Sequence, residues 1–242
     1  MRTVRIYEPQ GNLQENTEIT LSENGSGHLC RVLRFKEGDL FNIFDGIGHE
    51  FKAKLVHAGN KAAAQILEAV ANNSESPLQI ELGQVISRGD KMDLTIQKAV
   101  ELGIFEITPL TSIRCNVKLD EKRSLKKVDS WQKIAVSACE QSGRAFVPKV
   151  NDITDLKTWC KKDPDALNVT LDPLSSLRLK DLKPKTAKIR LLIGPEGGLS
   201  QEEINDAAEC GFIGVSLGPR ILRTETAALV ALSILGSHFG DL

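Results

Sequence analysis

The residue types that could do chemistry are concentrated in one stretch, LLIGPEGGLSQEEI, at residues 191–204. A run of apolar strand formers leads into a turn with three glycines, and Ser200 and Glu203 follow at the capping-box spacing that starts a helix. Glycine-rich turns between a strand and a helix bring the backbone close to a small ligand. This turn also carries a carboxylate, Glu196. Its ligand must therefore be able to contact the main chain and lie close to a negative charge.

A second glycine turn repeats the arrangement in SLGPRILRTETAALVA, residues 216–231. A strand predicted over residues 214–217 ends in the turn Gly218-Pro219, and Thr224 is the predicted N-cap of the helix that follows. Both turns are expected at the carboxyl edge of the sheet, where open α/β sheets bind their ligands. The pair of turns therefore predicts a pocket, whereas the first turn alone could equally serve packing.

Three kinds of ligand commonly bind glycine-rich turns between a strand and a helix, and the sequence distinguishes between them. A nucleoside triphosphate needs the pattern GxxxxGKS or GxxxxGKT, which the chain lacks, and Glu196 would repel its phosphates. A dinucleotide needs GxGxxG early in a doubly wound domain, but only 44 residues follow Gly198. S-adenosylmethionine is favoured as the cofactor, because its adenine can hydrogen-bond backbone groups and its sulfonium tolerates a carboxylate.

Four stretches occur in an order that characterises one family: KMDLTIQKAVELGI with ITPL, WQKIA with ACEQSGR and VP, LLIGPEGGLS with EI, and LGPRILRTETA. On these motifs the chain resembles the RsmE family of SPOUT methyltransferases. Members of that family methylate N3 of a specific uridine in the decoding region of 16S ribosomal RNA, with S-adenosylmethionine as the donor. The resemblance thus implies an RNA methyltransferase that acts on 16S rRNA or the small ribosomal subunit.

The resemblance also implies the fold, which is α/β with two domains. Residues 1–72 would form a PUA-like β-barrel that binds RNA. Residues 73–242 would form a SPOUT domain, a mostly parallel sheet with helices on both faces and a C-terminal trefoil knot that holds the cofactor. Family members work as homodimers, so a homodimer is expected here as well.

An arginine is the expected catalytic group. Uracil N3 is a weakly acidic imide nitrogen, so methyl transfer develops negative charge that a fixed cation can stabilise. Arg223, between the second turn and its helix, is the first candidate, and Arg220 is the second. Arginine cannot be the base, since it does not deprotonate in proteins. The base is left open among Glu196, Glu225, Glu140 and solvent.

Two further sets of site residues are predicted, and no metal site is. The cofactor-binding set follows the two turns and one neighbouring strand end: Leu171, Ile193, Gly194, Pro195, Glu196, Gly197, Leu217, Gly218, Ile221 and Leu222. The RNA-binding set consists of basic residues expected to contact phosphates: Arg31, Arg34, Arg88, Lys91, Arg114 and Arg144.

The surrounding elements agree with this organisation. The first seventy residues alternate as β-strands with a hairpin through Asp45-Gly46, and residues 71–77 have the composition of a linker. Beyond them, strands alternate with helices, as in a parallel sheet covered on both faces. The last helix is apolar on every side, which favours burial within its own domain or, as we expect, at a subunit interface.

The composition narrows the classes of protein to which the chain can belong. The 242 residues are 41% hydrophobic and 26% charged with a net charge of −1, and no run is long enough to span a membrane. The N-terminus lacks the apolar core of a signal peptide, so a cytoplasmic location is expected.

The charge is unevenly distributed along the chain. Residues 112–149 carry nine Lys or Arg and four acids, a net charge of +5 that suits a polyanion. The alternative functions are an RNA-binding ribosome assembly factor without catalysis and a nucleotide-dependent hydrolase.

Overall fold

The computed structural model describes residues 3–9, 13–117, 119–161 and 165–242. The chain divides into two compact units, of which the first contains residues 1–75 and 139–147 and the second contains residues 76–138 and 148–242. Lys118, which was counted in the basic stretch 112–149, lies outside the described residues. No helix in the described part of the chain is long and apolar enough to cross a bilayer.

The first unit is built on one five-stranded sheet. Its strands are β1 (Arg5–Tyr7), β2 (Glu18–Thr20), β3 (Leu40–Phe44), β4 (Glu50–His57) and β5 (Ala63–Val70), in the order β1-β3-β4-β5-β2. β1 runs parallel to β3, and the other pairs are antiparallel. A short helix α1 (Glu23–Ser26) and a π-helical segment (Gly27–Val32) follow β2. Alternate strand residues form the core, including Ile6, Phe41, Ile43, Leu55 and Ile66.

The predicted hairpin through Asp45-Gly46 is confirmed, because β3 and β4 are antiparallel and joined across this turn. The Asp45 carboxylate fixes the turn by accepting hydrogen bonds from the amides of Ile47 at 2.9 Å and His49 at 3.1 Å. Gly46 has a φ of +80°, which other residues rarely adopt.

The second unit is a parallel sheet with helices. Its first elements are β6 (Gln79–Val85), α2 (Lys91–Glu101), β7 (Glu106–Thr111), α3 (Glu121–Ser142), β8 (Lys149–Val150), β9 (Thr154–Asp155) and α4 (Leu156–Cys160). They are followed by β10 (Leu167–Leu171), β11 (Lys188–Ile193), α5 (Gln201–Glu209), β12 (Ile213–Val215) and α6 (Thr224–Phe239). The strand order is β12-β10-β11-β6-β7-β8, with β9 also paired to β7, and every pair is parallel.

Helix α6 is less completely buried than its sequence predicts. Ala228, Ala231, Leu232, Leu235 and Gly236 are buried within the second unit. The other long face is half-buried and lines an open groove of about 310 Å³ formed by Leu229, Val230, Ser233, Ile234, Ser237 and His238. The apolar composition of α6 therefore reflects one buried face and one half-buried face whose apolar residues line an open groove.

The segment predicted as a linker is instead tied down by hydrogen bonds within the first unit. Asn72 donates to the Glu50 carboxylate at 2.6 Å and to the carbonyl of Gly143 at 2.9 Å. The buried guanidinium of Arg144 pairs with Glu75, with Nη2 2.6 Å from Oε2. Residues 139–147, which were predicted to lie in the second domain, thus belong with the first unit.

Arg144→Met should destabilise the first unit. The substitution removes a cation whose side chain is 4% exposed and leaves the Glu75 carboxylate with the Phe146 amide but without its ionic partner, so we expect a loss of about 3 kcal/mol in the free energy of unfolding. Urea denaturation followed by circular dichroism measures it. The control Lys149→Met, at an exposed position, should change the free energy by less than about 0.5 kcal/mol; equal effects would contradict a structural role for Arg144.

Candidate functional site

The first glycine turn leaves the carboxyl end of β11. The amide of Gly198 donates to the carbonyl of Pro195 at 2.9 Å, and Gly198 has a φ of +67°, which favours glycine. The predicted capping box is confirmed, since the Ser200 amide donates to Glu203 Oε2 at 2.8 Å and the Glu203 amide donates to Ser200 Oγ at 3.2 Å. The turn is therefore held by α5 on its far side.

The second turn leaves β12 and leads into α6, but Thr224 is not the N-cap. Helix α6 begins at Thr224, and the capping position belongs to Arg223, whose side chain makes no capping hydrogen bond. The Thr224 hydroxyl donates instead to the carbonyl oxygen of Gly194 at 2.7 Å and accepts from Gln84 Nε2 at 3.0 Å. The prediction was wrong because a partner on another strand competes with the helix amides for this hydroxyl.

This hydrogen bond places the start of α6 beside the first turn, and a cavity of about 420 Å³ opens between them. A volume of this size lies within the range of small-molecule sites. The lining comes from four segments of the second unit: Lys91; Leu171 and Pro173; Ile193, Gly194, Pro195, Glu196, Gly198 and Leu199; and Ile221, Leu222, Arg223, Thr224 and Ala227.

The carboxylate in the first turn is held by two neighbouring groups and by its own backbone amide. Lys91 Nζ lies 3.2 Å from Glu196 Oε1, and the backbone amide of Arg88 donates to the same oxygen at 3.2 Å. Partial burial raises the pKa of Glu196, but hydrogen bonds from its own amide, from Arg88 and from Lys91 outweigh burial and hold this pKa below its ordinary value. The pocket therefore carries a fixed negative charge at neutral pH.

Lys91 also faces a second carboxylate. Its ammonium lies 4.0 Å from Glu225 Oε2, in the first turn of α6. Lys91 is the first residue of α2, and α2 packs against α6. One cation at a helix start thus stands between the carboxylates of both turns.

Ten residues were predicted to bind the cofactor, and the structure brings seven of them together around the cavity. Those seven are Leu171, Ile193, Gly194, Pro195, Glu196, Ile221 and Leu222, whereas Gly197, Leu217 and Gly218 lie in the turns without lining it. Five further lining residues were not among the predicted site residues: Pro173, Gly198, Leu199, Thr224 and Ala227. Their positions in the sequence could have indicated them, because each lies within a few residues of a predicted cofactor contact.

The two arginines proposed for catalysis are both exposed on the second turn. Arg223 lines the cavity, whereas Arg220 does not. Among the described residues, no ion pair or hydrogen bond occupies the Arg223 guanidinium, and Glu196 and Glu225 have Lys91 as their ionic neighbour. Arg223 therefore keeps its donors available at the cavity wall.

The three carboxylates considered as bases differ in place and charge. Glu196 lines the cavity with a lowered pKa, which makes it a weak base. Glu225 Oε2 is buried without a hydrogen bond among the described residues. Glu140 belongs to the first unit, where it accepts from the amide of Tyr7 at 3.1 Å, and burial raises its pKa.

The six predicted RNA contacts divide into three groups. Arg31 and Arg34 are exposed on the first unit. Arg88, Lys91 and Arg114 belong to the second unit and contact the first turn; the Arg114 guanidinium donates to the carbonyls of Gly197 at 3.0 Å and Leu199 at 3.3 Å. Arg144 is placed differently from the prediction, because its guanidinium is buried on Glu75 and cannot reach a phosphate.

Comparison with known proteins identifies the family. A sequence profile described as an RNA methyltransferase domain matches residues 74–236, and one described as an RNA methyltransferase PUA domain matches residues 21–67. The chain is 40% identical over 232 residues to a ribosomal RNA small subunit methyltransferase E from Buchnera aphidicola, covering 95% of this chain and 94% of that protein.

The chain belongs to the ribosomal RNA small subunit methyltransferase E family. A member from Bacillus subtilis is 32% identical over 92% of the chain and 91% of its own length. Among solved structures, a member from Neisseria gonorrhoeae bound to S-adenosylmethionine superposes with a TM-score of 0.94 at 39% identity, and covers both chains completely. A Legionella pneumophila protein in complex with the same cofactor gives 0.96 at 40% identity, also over both full chains. The fold is therefore the expected one, a PUA-like domain followed by a SPOUT domain.

Thr224→Val should destabilise the second unit although it keeps the side-chain shape. It removes the hydroxyl that donates to the Gly194 carbonyl and accepts one of the two hydrogen bonds of Gln84 Nε2, so we expect a loss of about 2 kcal/mol in the free energy of unfolding. Thermal and urea unfolding measure it. Thr226→Val, at an exposed position two residues along α6, is the control. Equal stability of the two variants would show that the hydroxyl does not hold the turns together.

Glu196→Gln should make stability less dependent on pH. The pKa of Glu196 lies below its ordinary 4.5, so its stabilising effect is complete above that value and is lost as pH falls through the lowered pKa. The difference in unfolding free energy between wild type and variant should therefore be constant near neutrality and vanish in acid. Urea denaturation between pH 7 and about pH 3.5 tests this sign, and a difference that grows in acid would refute it.

Proposed function

We propose that this protein transfers a methyl group from S-adenosylmethionine to N3 of a uridine in the decoding region of 16S ribosomal RNA. The observation that carries the proposal is the cavity between two glycine turns that Thr224 holds together. The names of the relatives support small-subunit ribosomal RNA as the substrate. The choice of N3 as the methylated atom is supported by the motif resemblance and by the cation at the cavity wall, Arg223.

The residues around the cavity suit this cofactor. Gly194 and Gly198 have no side chain between the backbone and the cavity, so an adenine edge can approach the main chain there, and Leu171, Ile193 and Leu222 offer apolar contacts to its faces. The ionised Glu196 offers compensation for a cationic ligand, which a nucleoside triphosphate would not accept. Two structures that superpose on this chain over their full length contain S-adenosylmethionine.

The roles of the side chains follow from their charge. S-adenosylmethionine supplies an electrophilic methyl group on a sulfonium. Arg223 would stabilise the negative charge that develops on the uracil ring as N3 becomes nucleophilic, since its guanidinium is permanently charged and has no partner among the described residues. Because hydrogen bonds lower its pKa, Glu196 is better suited to hold charge than to take the N3 proton. Glu225 or solvent is the remaining acceptor near the second turn.

A reconstituted reaction tests the activity. Purified protein, labelled S-adenosylmethionine and small ribosomal subunits from cells lacking the enzyme should give label in 16S rRNA, with a reverse-transcription stop one nucleotide before a single uridine. A stop elsewhere would reject the N3 proposal. Cofactor binding by calorimetry without any transfer would instead favour the alternative, an RNA-binding assembly factor that keeps the fold without catalysis.

Arg223→Ala should separate binding from chemistry. The loss of a cation that acts mainly on the transition state should lower kcat by about 100- to 1,000-fold and leave the dissociation constant of S-adenosylmethionine within about threefold. Arg220→Ala, which lies on the same turn but outside the cavity lining, should lower kcat less. Arg123→Ala on α3 is the control for loss of charge, and unchanged turnover of Arg223→Ala would exclude its catalytic role.

We also propose a homodimer, a C-terminal trefoil knot and a cytoplasmic location where small subunits are assembled. The dimer is supported by the half-buried apolar residues Leu229 and Ile234, which line an open groove on α6. The knot is supported by the attachment of α6, the last element of the chain, to the ends of β6 and β11 through Gln84 and Gly194. A dimer that buries the α6 face would place two cofactor pockets in one assembly.

Ile234→Glu should convert the protein to a monomer, because it places a charge in the middle of the apolar groove. Light scattering should give twice the chain mass for wild type and the single-chain mass for the variant. Ser130→Glu, at an exposed position on α3 rather than on α6, should leave the dimer intact. A wild-type monomer would refute the proposed interface.

A further inference from the structure

A row of cations on the second unit has no part in the pocket. Residues 178–185, between β10 and β11, include Arg178, Lys180, Lys183 and Lys185, all of which are exposed, and one acid, Asp181. We call these four cations the basic strip. Their net charge with Asp181 is +3 in a chain whose total is −1. Within the described ranges, no ion pair involves any of the four side chains, so this charge is not compensated on the surface.

The backbone of the strip is fixed rather than loose. Leu179 is 0% exposed and Leu182 is 8% exposed. The amide of Leu179 donates to the carbonyl of Ser216 at 3.0 Å, and the amide of Ser216 donates to the carbonyl of Leu177 at 2.8 Å. A 3₁₀ turn over Leu179–Asp181 packs against α6. Because the leucines point into the unit, the cations between them are directed to solvent.

The strip begins at the edge of the cofactor pocket. Pro173, a few residues earlier, lines the pocket, and Ser216, which pairs with the strip, stands immediately before the second turn. After the strip, the chain enters β11 at Lys188, the strand end opposite the first turn. The strip therefore leads away from the pocket along the sheet, over a length of about 20 Å for a six-residue strand.

Exposed cations on a rigid backbone are suited to phosphodiester groups. We propose that the basic strip binds the sugar–phosphate backbone of the RNA next to the uridine that enters the pocket. This inference rests on the proposed function, and it adds a contact surface that none of the six predicted RNA-binding residues includes. The strip positions the substrate and takes no part in methyl transfer.

Salt-dependent RNA binding tests the proposal. The probe is a fluorescent fragment of 16S rRNA with the decoding-region stem, bound to the full chain at several salt concentrations from about 50 to 300 mM. The variant combines Lys180→Gln, Lys183→Gln and Lys185→Gln. Each lost phosphate contact should reduce the slope of log K against log salt by about 0.7–0.9, so the total decrease should be about 2–3. At about 0.1 M salt, affinity should fall by roughly 100-fold.

Two controls keep the result specific. The comparison variant Lys122→Gln, Lys126→Gln, Lys127→Gln removes three exposed charges from α3, which belongs to the basic stretch 112–149, and should reduce the slope less than the strip variant does. The triple Lys→Arg variant of the strip should bind as wild type does. The affinity of the Gln variant for S-adenosylmethionine should stay within about twofold of wild type, since none of its three lysines lines the pocket.

An unchanged salt slope in the strip variant, or an equal loss in the α3 variant, would overturn the proposal. Either result would leave the proposed function standing if wild type still methylates the small subunit. A wild-type protein that binds the fragment through the strip but transfers no methyl group would refute the proposed function and support the strip as an RNA contact.

Discussion

The pocket depends on one hydrogen bond, which the hydroxyl of Thr224 donates to the carbonyl oxygen of Gly194. The donor starts the last helix and the acceptor ends β11, so the bond joins two turns that are thirty residues apart in sequence. Gln84, fully buried at the end of β6, completes the arrangement by donating to the same hydroxyl. Because these groups are buried, leaving any of them unpaired is costly, and the two turns are held at one separation.

Charge around the pocket follows from that geometry. With the turns held together, Lys91 lies between Glu196 of the first turn and Glu225 of the helix after the second. The hydrogen bonds on Glu196 keep it ionised, while Arg223 remains unpaired among the described residues on the opposite turn. The site thus separates a fixed anion from an available cation. This is the arrangement that a cationic methyl donor and an anionic nucleophile need, and it gives the sequence motifs of the family a physical meaning.

Much of the architecture follows from sequence. Helices α2 and α5, the parallel strands and the Asp45 hairpin were predictable because periodicity, capping and turn residues are local signals. The capping box of Ser200 and Glu203 is such a case. Contacts between distant residues were not predictable in this way. The Thr224 hydroxyl was assigned to its own helix and the Arg144 guanidinium to RNA, whereas their partners, Gly194 and Glu75, are thirty and sixty-nine residues away. A basic or hydroxyl side chain alone does not reveal its partner.

The most direct measurement is a crystal structure of the protein with S-adenosylmethionine. We expect the donor in the cavity between the two turns, with its adenine hydrogen-bonded to backbone atoms near Gly194 and Leu222 and with Arg223 beside the open face. The turns should remain joined through Thr224. A donor bound elsewhere on the chain, or bound only after the turns separate, would contradict the account.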